Sequence, residues 1–331
     1  MHPPRSRTPT HVDAGRAAGA TPRRCGRSAT SGAARSRRHL SRLTLLALLA
    51  LPCLPPSAAA GVGELIEQAI DVPVRVRVAA GPAVAQTIPV TIVREAAIDR
   101  RPFLVLQHGR PADLAGLARM GRQSYPANAR YFAAQGFVVL VPTRVGYGLA
   151  RGPDLEYTGE CAFKRYAEGV EPAVSETRQV VEFAAQLPYV DAGHGIVVGE
   201  SFGGLVAIAV AASGIPGVVA AINFAGGDGG DARQHADEPC RPDQLRETFA
   251  GYGRANRLPT LWMYGANDRF WGPWYPREWF AAFTRAGGRG QFVTLPAGRN
   301  DGHTIFNRSG PAWHPAFEAF ATQLGLGSTL R

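Results

Sequence analysis

The chain lacks an apolar stretch long enough to cross a bilayer. The run that most invites a membrane reading, Leu43 to Leu54, holds 12 residues, whereas a spanning helix needs about 20. Once the first 60 residues are set aside, it also lacks any surplus of charge. That leader carries ten arginines against one acid, Asp13, while the rest of the chain holds 26 basic and 25 acidic side chains. Nine of the ten formal positive charges therefore belong to the leader, and the body, at +1, offers no electrostatic case for a nucleic-acid partner. Cysteine is scarce: of four, Cys25 and Cys53 fall in the leader, leaving Cys161 and Cys240. Internal repeats and domain linkers are missing too, so residues 61-331 read as a single domain with one large core.

The leader has the form of an export signal. Arg35 to Arg42 is a positive segment, Leu43 to Leu54 the apolar segment, and Ala58-Ala59-Ala60 the small-residue cleavage site before Gly61. Residues 1-60 thus read as a disordered basic leader and signal peptide, with a periplasmic or secreted product. Ser36-Arg37-Arg38-His39-Leu40 resembles a twin-arginine signal, so export by either the general or the twin-arginine route fits. Pro52 precedes Cys53 where a lipid anchor wants a small residue, so no stable membrane anchor is expected. In an oxidising compartment the remaining pair, Cys161 and Cys240, is expected to form a disulfide closing a long loop.

Apolar runs and alternating stretches predict eight strands, at 74–78, 87–93, 103–107, 137–141, 196–198, 218–224, 260–264 and 291–295. Helical patterns fall at 126–135, 171–187, 205–212, 276–286 and 315–324. Strand then helix keeps repeating, the signature of an α/β sheet.

Within that frame, Gly199-Glu200-Ser201-Phe202-Gly203 sits between a buried strand and a small-residue helix. The G-x-S-x-G spacing has a mechanical basis: a strained turn lifts the serine hydroxyl clear of the sheet, and the glycines remove side chains that would collide. The pattern alone is weak in a glycine-rich chain, so strand and helix context decides. Asp268 follows the strand at 260–264, and His303 follows the last strand. Serine, acid and histidine thus occur in an order that supports nucleophilic catalysis, each on a loop after a strand. A serine hydroxyl needs an imidazole to take its proton and a carboxylate to hold that ring. Asp301 reads as a turn-shaping residue, and His314 and His235 as packing and solvated residues; Glu200 is either a structural polar contact under the sheet, the preferred reading, or near enough to the site to affect its pKa values. The expected donors to the tetrahedral oxyanion are the backbone N–H groups of Phe202 and Arg110, the latter in the turn His108-Gly109-Arg110.

These residues, with the turn Arg144-Val145-Gly146-Tyr147-Gly148, resemble the serine α/β-hydrolase superfamily, on its dienelactone-hydrolase-like and prolyl-oligopeptidase-like branches. The resemblance covers about residues 70–325. It implies an α/β-hydrolase fold: a mostly parallel eight-stranded sheet with helices on both faces, a small cap or rim insertion, and no cofactor. True dienelactone hydrolases use a cysteine nucleophile where this chain has Ser201, which separates the reaction class from that substrate.

The expected activity is hydrolysis of a small-molecule carboxylic ester. A peptidase or amidase is the alternative, with Arg144 or Arg110 as anchor for a peptide terminus; a non-catalytic binding protein is the remaining one. Tyr147, Phe270, Trp271, Trp274 and Tyr275 are the expected pocket aromatics. Segments 149-170 and 226-256 are the expected rim or cap insertions, tied by Cys161 and Cys240.

Overall fold

Residues that alternate in sequence divide between two apolar layers, and this builds the molecule around its central strands. In strand β3 (Arg101–Gln107), Phe103 and Val105 face one layer while Leu104 and Leu106 face the other. In β5 (Val190–Glu200), Val197 and its neighbours Ile196 and Val198 divide in the same way. Such strands are buried on both faces and read as continuous apolar runs. The computed structural model describes residues 63–78, 81–297 and 301–326. The leader, the export signal and Asn300 lie outside the described residues.

The remaining strands are β1 (Leu65–Val76), β2 (Val84–Glu95), β4 (Val138–Pro142), β6 (Val218–Phe224), β7 (Pro259–Gly265) and β8 (Arg289–Leu295). They form one eight-stranded sheet in the order β1-β2-β4-β3-β5-β6-β7-β8. The β1–β2 and β2–β4 pairs are antiparallel and all later pairs are parallel. From β3 the chain crosses to β4 on one side and then returns to β5 on the other. This reversal opens a crevice at the carboxyl ends of β3 and β5, where open α/β sheets place their sites.

Helices α3 (Tyr166–Ala184), α4 (Phe202–Ala212), α5 (Pro242–Ala255) and α6 (Tyr275–Arg285) cover one face. On the opposite face lie α2 (Pro126–Ala134), α7 (Ile305–Arg308) and α8 (Gly310–Gln323), and a short α1 (Leu114–Arg119) precedes α2. In α4 every residue from Phe202 to Ala211 is buried, which its run of Gly, Ala, Val, Leu and Ile permits. Among the described residues no helix is long and apolar enough to cross a membrane.

All eight expected strands are present, but the first is longer than the pattern at 74–78 suggests. Residues 66–71 of β1 alternate between half-buried and exposed positions, but Gln68 stands on the half-buried side and Ala69 on the exposed one, which blurs the apolar pattern. An edge strand needs its free side covered. Here α3 does so: the Arg75 N–H donates to Gln179 Oε1 at 2.7 Å and the Arg77 N–H to Ser175 Oγ at 3.1 Å. The expected insertion at 226-256 is corrected. Its second half is α5, a crossover helix that buries Leu245 and Phe249 against the sheet, and Phe249 packs on Trp262. Seven charged side chains within 237–254 give this stretch the polar look of a rim. Its two buried apolar residues, four positions apart, are enough to dock one helical face. The first half of the segment does run along the rim, and a disulfide joins Cys240 there to Cys161.

Candidate functional site

The nucleophile turn is made by close backbone approach. A side chain at Gly199 would put its Cβ 2.0 Å from the Gly203 carbonyl oxygen, and one at Gly203 would meet the Gln107 carbonyl oxygen at 2.3 Å. Ser201 between them has φ 53° and ψ −125°. A non-glycine residue holds this strained region only where its surroundings force it. The forcing comes from the helix that begins at Phe202 and from the hydrogen bond that Ser201 N–H donates to the Phe224 carbonyl at 2.9 Å.

Ser201 Oγ lies 3.0 Å from His303 Nε2, and His303 Nδ1 lies 3.1 and 3.2 Å from the two carboxylate oxygens of Asp268. Asp268 is 1% exposed and His303 9%. Asp268 Oδ1 also accepts the N–H groups of Phe270 at 2.9 Å and Trp271 at 3.3 Å, fixing the carboxylate where it faces the ring. Asp301 takes the turn-shaping position: its Oδ1 accepts from His303 N–H at 2.9 Å and from Arg269 N–H at 3.0 Å. One carboxylate therefore ties the acid's loop to the histidine's loop. His314 of α8 stacks on Tyr131 of α2, and His235 sits exposed in a small bridge with Asp231, both apart from this group.

The electrostatics suit proton transfer. Burial works against a charged His303, but Asp268, Glu200 and Asp301 outweigh it and raise the imidazole above its ordinary pKa. His108, by contrast, is buried beside Arg144, and both effects push its pKa down. Its Nε2 accepts from the Arg144 N–H at 3.2 Å, so its Nδ1 carries the proton donated to the Gly109 carbonyl at 2.7 Å. His108 is thus a structural member of the turn after β3.

Residues 120–254 match the dienelactone hydrolase family. The chain has the α/β-hydrolase fold. Solved structures similar to it share this fold. A Klebsiella pneumoniae protein provisionally described as a dienelactone hydrolase is 14% identical, over 78% of this chain and 99% of that one, with a TM-score of 0.51. An acetyl xylan esterase from Paenibacillus sp. R4 is 15% identical over 77% and 88%, with a TM-score of 0.50. The Pyrococcus horikoshii acylaminoacyl peptidase is 12% identical with a TM-score of 0.53, and 78% of this chain covers only 41% of it. No curated protein matches the sequence significantly. The family match supports a hydrolase.

At the crevice of this fold a cavity of about 550 Å³ opens over Ser201 and His303. Its wall includes Gly109, Arg110, Tyr125, Glu200, Phe270 and Asn307. The turn holding Arg110 comes close to the nucleophile: a Cβ on Gly109 would lie 3.2 Å from that of Ser201. Phe202 opens α4 directly after Ser201, so both expected oxyanion donors belong to segments that flank the hydroxyl.

Of the expected pocket aromatics, Phe270 lines the cavity and stacks on His303, with ring centroids 4.0 Å apart. The other four are corrected. Tyr147 is buried behind the turn, bonded to Glu156 and Arg110. Trp271 is buried, donates to the Ala225 carbonyl at 2.7 Å, and meets His303 edge-on from behind. Trp274 is 66% exposed on the surface. Tyr275 stacks on Trp279 at the start of α6. Trp271 and Tyr275 both pack on Trp279, so their aromatic area holds α6 to the sheet instead of lining the cavity.

The placement of Glu200 is a second correction. Its carboxylate reaches the cavity instead of lying under the sheet. Oε1 accepts from Tyr125 O–H at 3.0 Å, and Oε2 accepts from Asn307 Nδ2 at 2.8 Å. Burial raises its pKa, against opposing effects of His303, Tyr125 and Asn307. Tyr125 and Asn307 belong to no motif; only their packing beside Glu200 marks them. Arg144 is 1% exposed and enclosed by Glu156 at 2.6 Å, the Gln107 side chain at 3.3 Å and the His108 carbonyl at 2.9 Å. Arg110 is paired through two nitrogens to Asp154 at 2.8 and 2.5 Å. Neither guanidinium is free to anchor a peptide terminus. Among the described residues no group of three or more His, Cys, Asp or Glu side chains converges as metal ligands would.

Proposed function

We propose that the chain is an exported serine hydrolase that cleaves carboxylic esters. The observation that carries this is the hydrogen-bonded series from Ser201 Oγ through His303 to Asp268, at 3.0 Å and 3.1 Å, opening into the cavity. In the acylation step His303 Nε2 takes the hydroxyl proton as Ser201 Oγ bonds to the ester carbonyl carbon. Asp268 stabilises the resulting imidazolium. The N–H groups of Phe202 and Arg110 receive the oxyanion, each worth about 3 kcal/mol in comparable sites. The imidazolium then returns its proton to the departing alkoxide, leaving an acyl-enzyme, and water activated by the same ring releases the acid.

An ester is favoured over a peptide because both candidate anchors, Arg144 and Arg110, are already engaged by Glu156 and Asp154. The leader pattern supports export, and the Cys161–Cys240 bond suits an oxidising compartment. Ser201→Ala is expected to abolish hydrolysis of short p-nitrophenyl esters and labelling by a fluorophosphonate probe, with thermal unfolding unchanged. Activity retained in that folded variant would sink the assignment.

A further inference from the structure

The cavity's charges are not equally compensated. Arg110, Arg122, Glu200 and His303 all reach it. Arg110 is paired with Asp154 at 2.5 Å, and His303 faces Asp268 at 3.1 Å. Arg122 is paired with Glu67 at 3.3 Å, and its side chain is 36% exposed, so solvent screens it. Glu200 differs: its two oxygens are held by the phenol of Tyr125 and the amide of Asn307, both neutral. Among the described residues no ion pair reaches it.

Its position magnifies this imbalance. Glu200 immediately precedes Ser201, and its Oε1 lies 3.4 Å from where a Cβ would stand on Gly109, in the turn beside the nucleophile. While His303 is neutral, the inner end of the site thus holds two carboxylates, Glu200 and Asp268. A substrate group beside the scissile bond must come within a few ångströms of the first, in a region partly shielded from water. Unscreened charges at such range interact strongly.

We propose that Glu200 sets a charge preference, so that the site accepts neutral and cationic esters and discriminates against esters with an anionic group next to the scissile bond. This rests on the reading of Ser201 as the nucleophile. Glu200 acts here as a specificity-determining residue. Its neutral donors hold the carboxylate in place without cancelling its charge.

The test uses three acetate esters of similar size, made from a neutral branched alcohol, a quaternary-ammonium alcohol and a hydroxycarboxylate, assayed at pH 8 on the full chain. In low salt, kcat/KM for the neutral and cationic esters should exceed that for the anionic ester by about tenfold or more, the size of a near-surface charge interaction. Glu200→Gln should bring the three within about twofold of one another, and Glu200→Asp should restore the ranking. Equal rates in the wild-type protein, or a ranking unmoved by Glu200→Gln, would overturn the proposal. Should Glu200→Gln not fold, salt decides: about 0.5 M should compress the wild-type ratio, and a salt-independent ratio overturns the charge mechanism. Neutral-ester hydrolysis that survives Ser201→Ala refutes the serine reading itself. Cleavage that depends on Ser201 but shows no ranking refutes only the charge preference.

Discussion

Two regions flank the nucleophile and are held by different means. The loops carrying Asp268 and His303 are fastened through backbone groups: Gly302 N–H donates to the Asn267 carbonyl at 3.0 Å, and Asp268 and Asp301 each accept two main-chain N–H groups. The excursion between β4 and α3, which backs the turn after β3, is fastened mainly through side chains. Asp154 grips Arg110, Glu156 grips Arg144, and Cys161 is bonded to Cys240. Backbone bonds in tight turns leave little freedom, which suits groups that must meet within a few tenths of an ångström. Long charged side chains supply an electrostatic wall whose removal is felt in stability.

If that division holds, changes in the first region remove rate and changes in the second remove stability. The largest effect should come from His303→Ala, with kcat/KM for a neutral ester falling about 10⁴-fold or more at nearly unchanged thermal stability. His314→Ala, which loses a ring stack on Tyr131, should stay near wild-type activity. The reverse result would overturn His303 as base. The same ring sets the acid limb of the pH profile. His303 must be neutral to accept a proton, and its raised pKa places the loss of kcat/KM above pH 6.5 as the pH falls.

The second effect belongs to the excursion. Arg144→Met strands Glu156, 2% exposed, without its buried cation. A loss of about 3–5 kcal/mol is the usual cost of halving a buried ion pair, measurable by urea unfolding. Stability within about 1 kcal/mol of wild type would show that the guanidinium contributes far less than a buried partner should.

The third effect, at most about 1.4 kcal/mol for each pH unit, sharpens the same region. Burial raises Glu176 to a pKa of about 8 from an ordinary 4.5, against the opposing pull of the Val145 N–H and Arg144. The folded chain therefore keeps a proton that the unfolded chain has lost. Stability should fall as the pH rises through that window, by up to about 1.4 kcal/mol per unit. In Glu176→Gln this decline should vanish from urea midpoints measured between pH 5 and 8; an unchanged slope would assign it to other groups.

How far the site was legible followed from how local each signal is. The turn at Gly199 to Gly203 is specified by neighbours in sequence, since each glycine answers a clash with backbone a few residues away or on the adjoining strand. Asp268 and His303 could be picked out because each follows a strand that ends at the crevice. Tyr147, Trp271, Trp274 and Tyr275 were misplaced because an aromatic beside a site can face the cavity or the core, and periodicity does not distinguish them. The helix at 242–255 was hidden by its charged surface, with only Leu245, Phe249 and Gly253 buried.

By itself, the sequence determined the alternating architecture, the strained serine turn and the order of serine, acid and histidine. These are written in short-range patterns of burial and backbone clash. Only the tertiary structure decided the character of the cavity: Tyr125 from the start of α2 and Asn307 from α7 converge on Glu200, 75 and 107 residues away in the chain. The glutamate beside the nucleophile could have turned beneath the sheet or into the cavity. Its direction depends on which donors the distant segments bring to it, and adjacent residues carry no record of that.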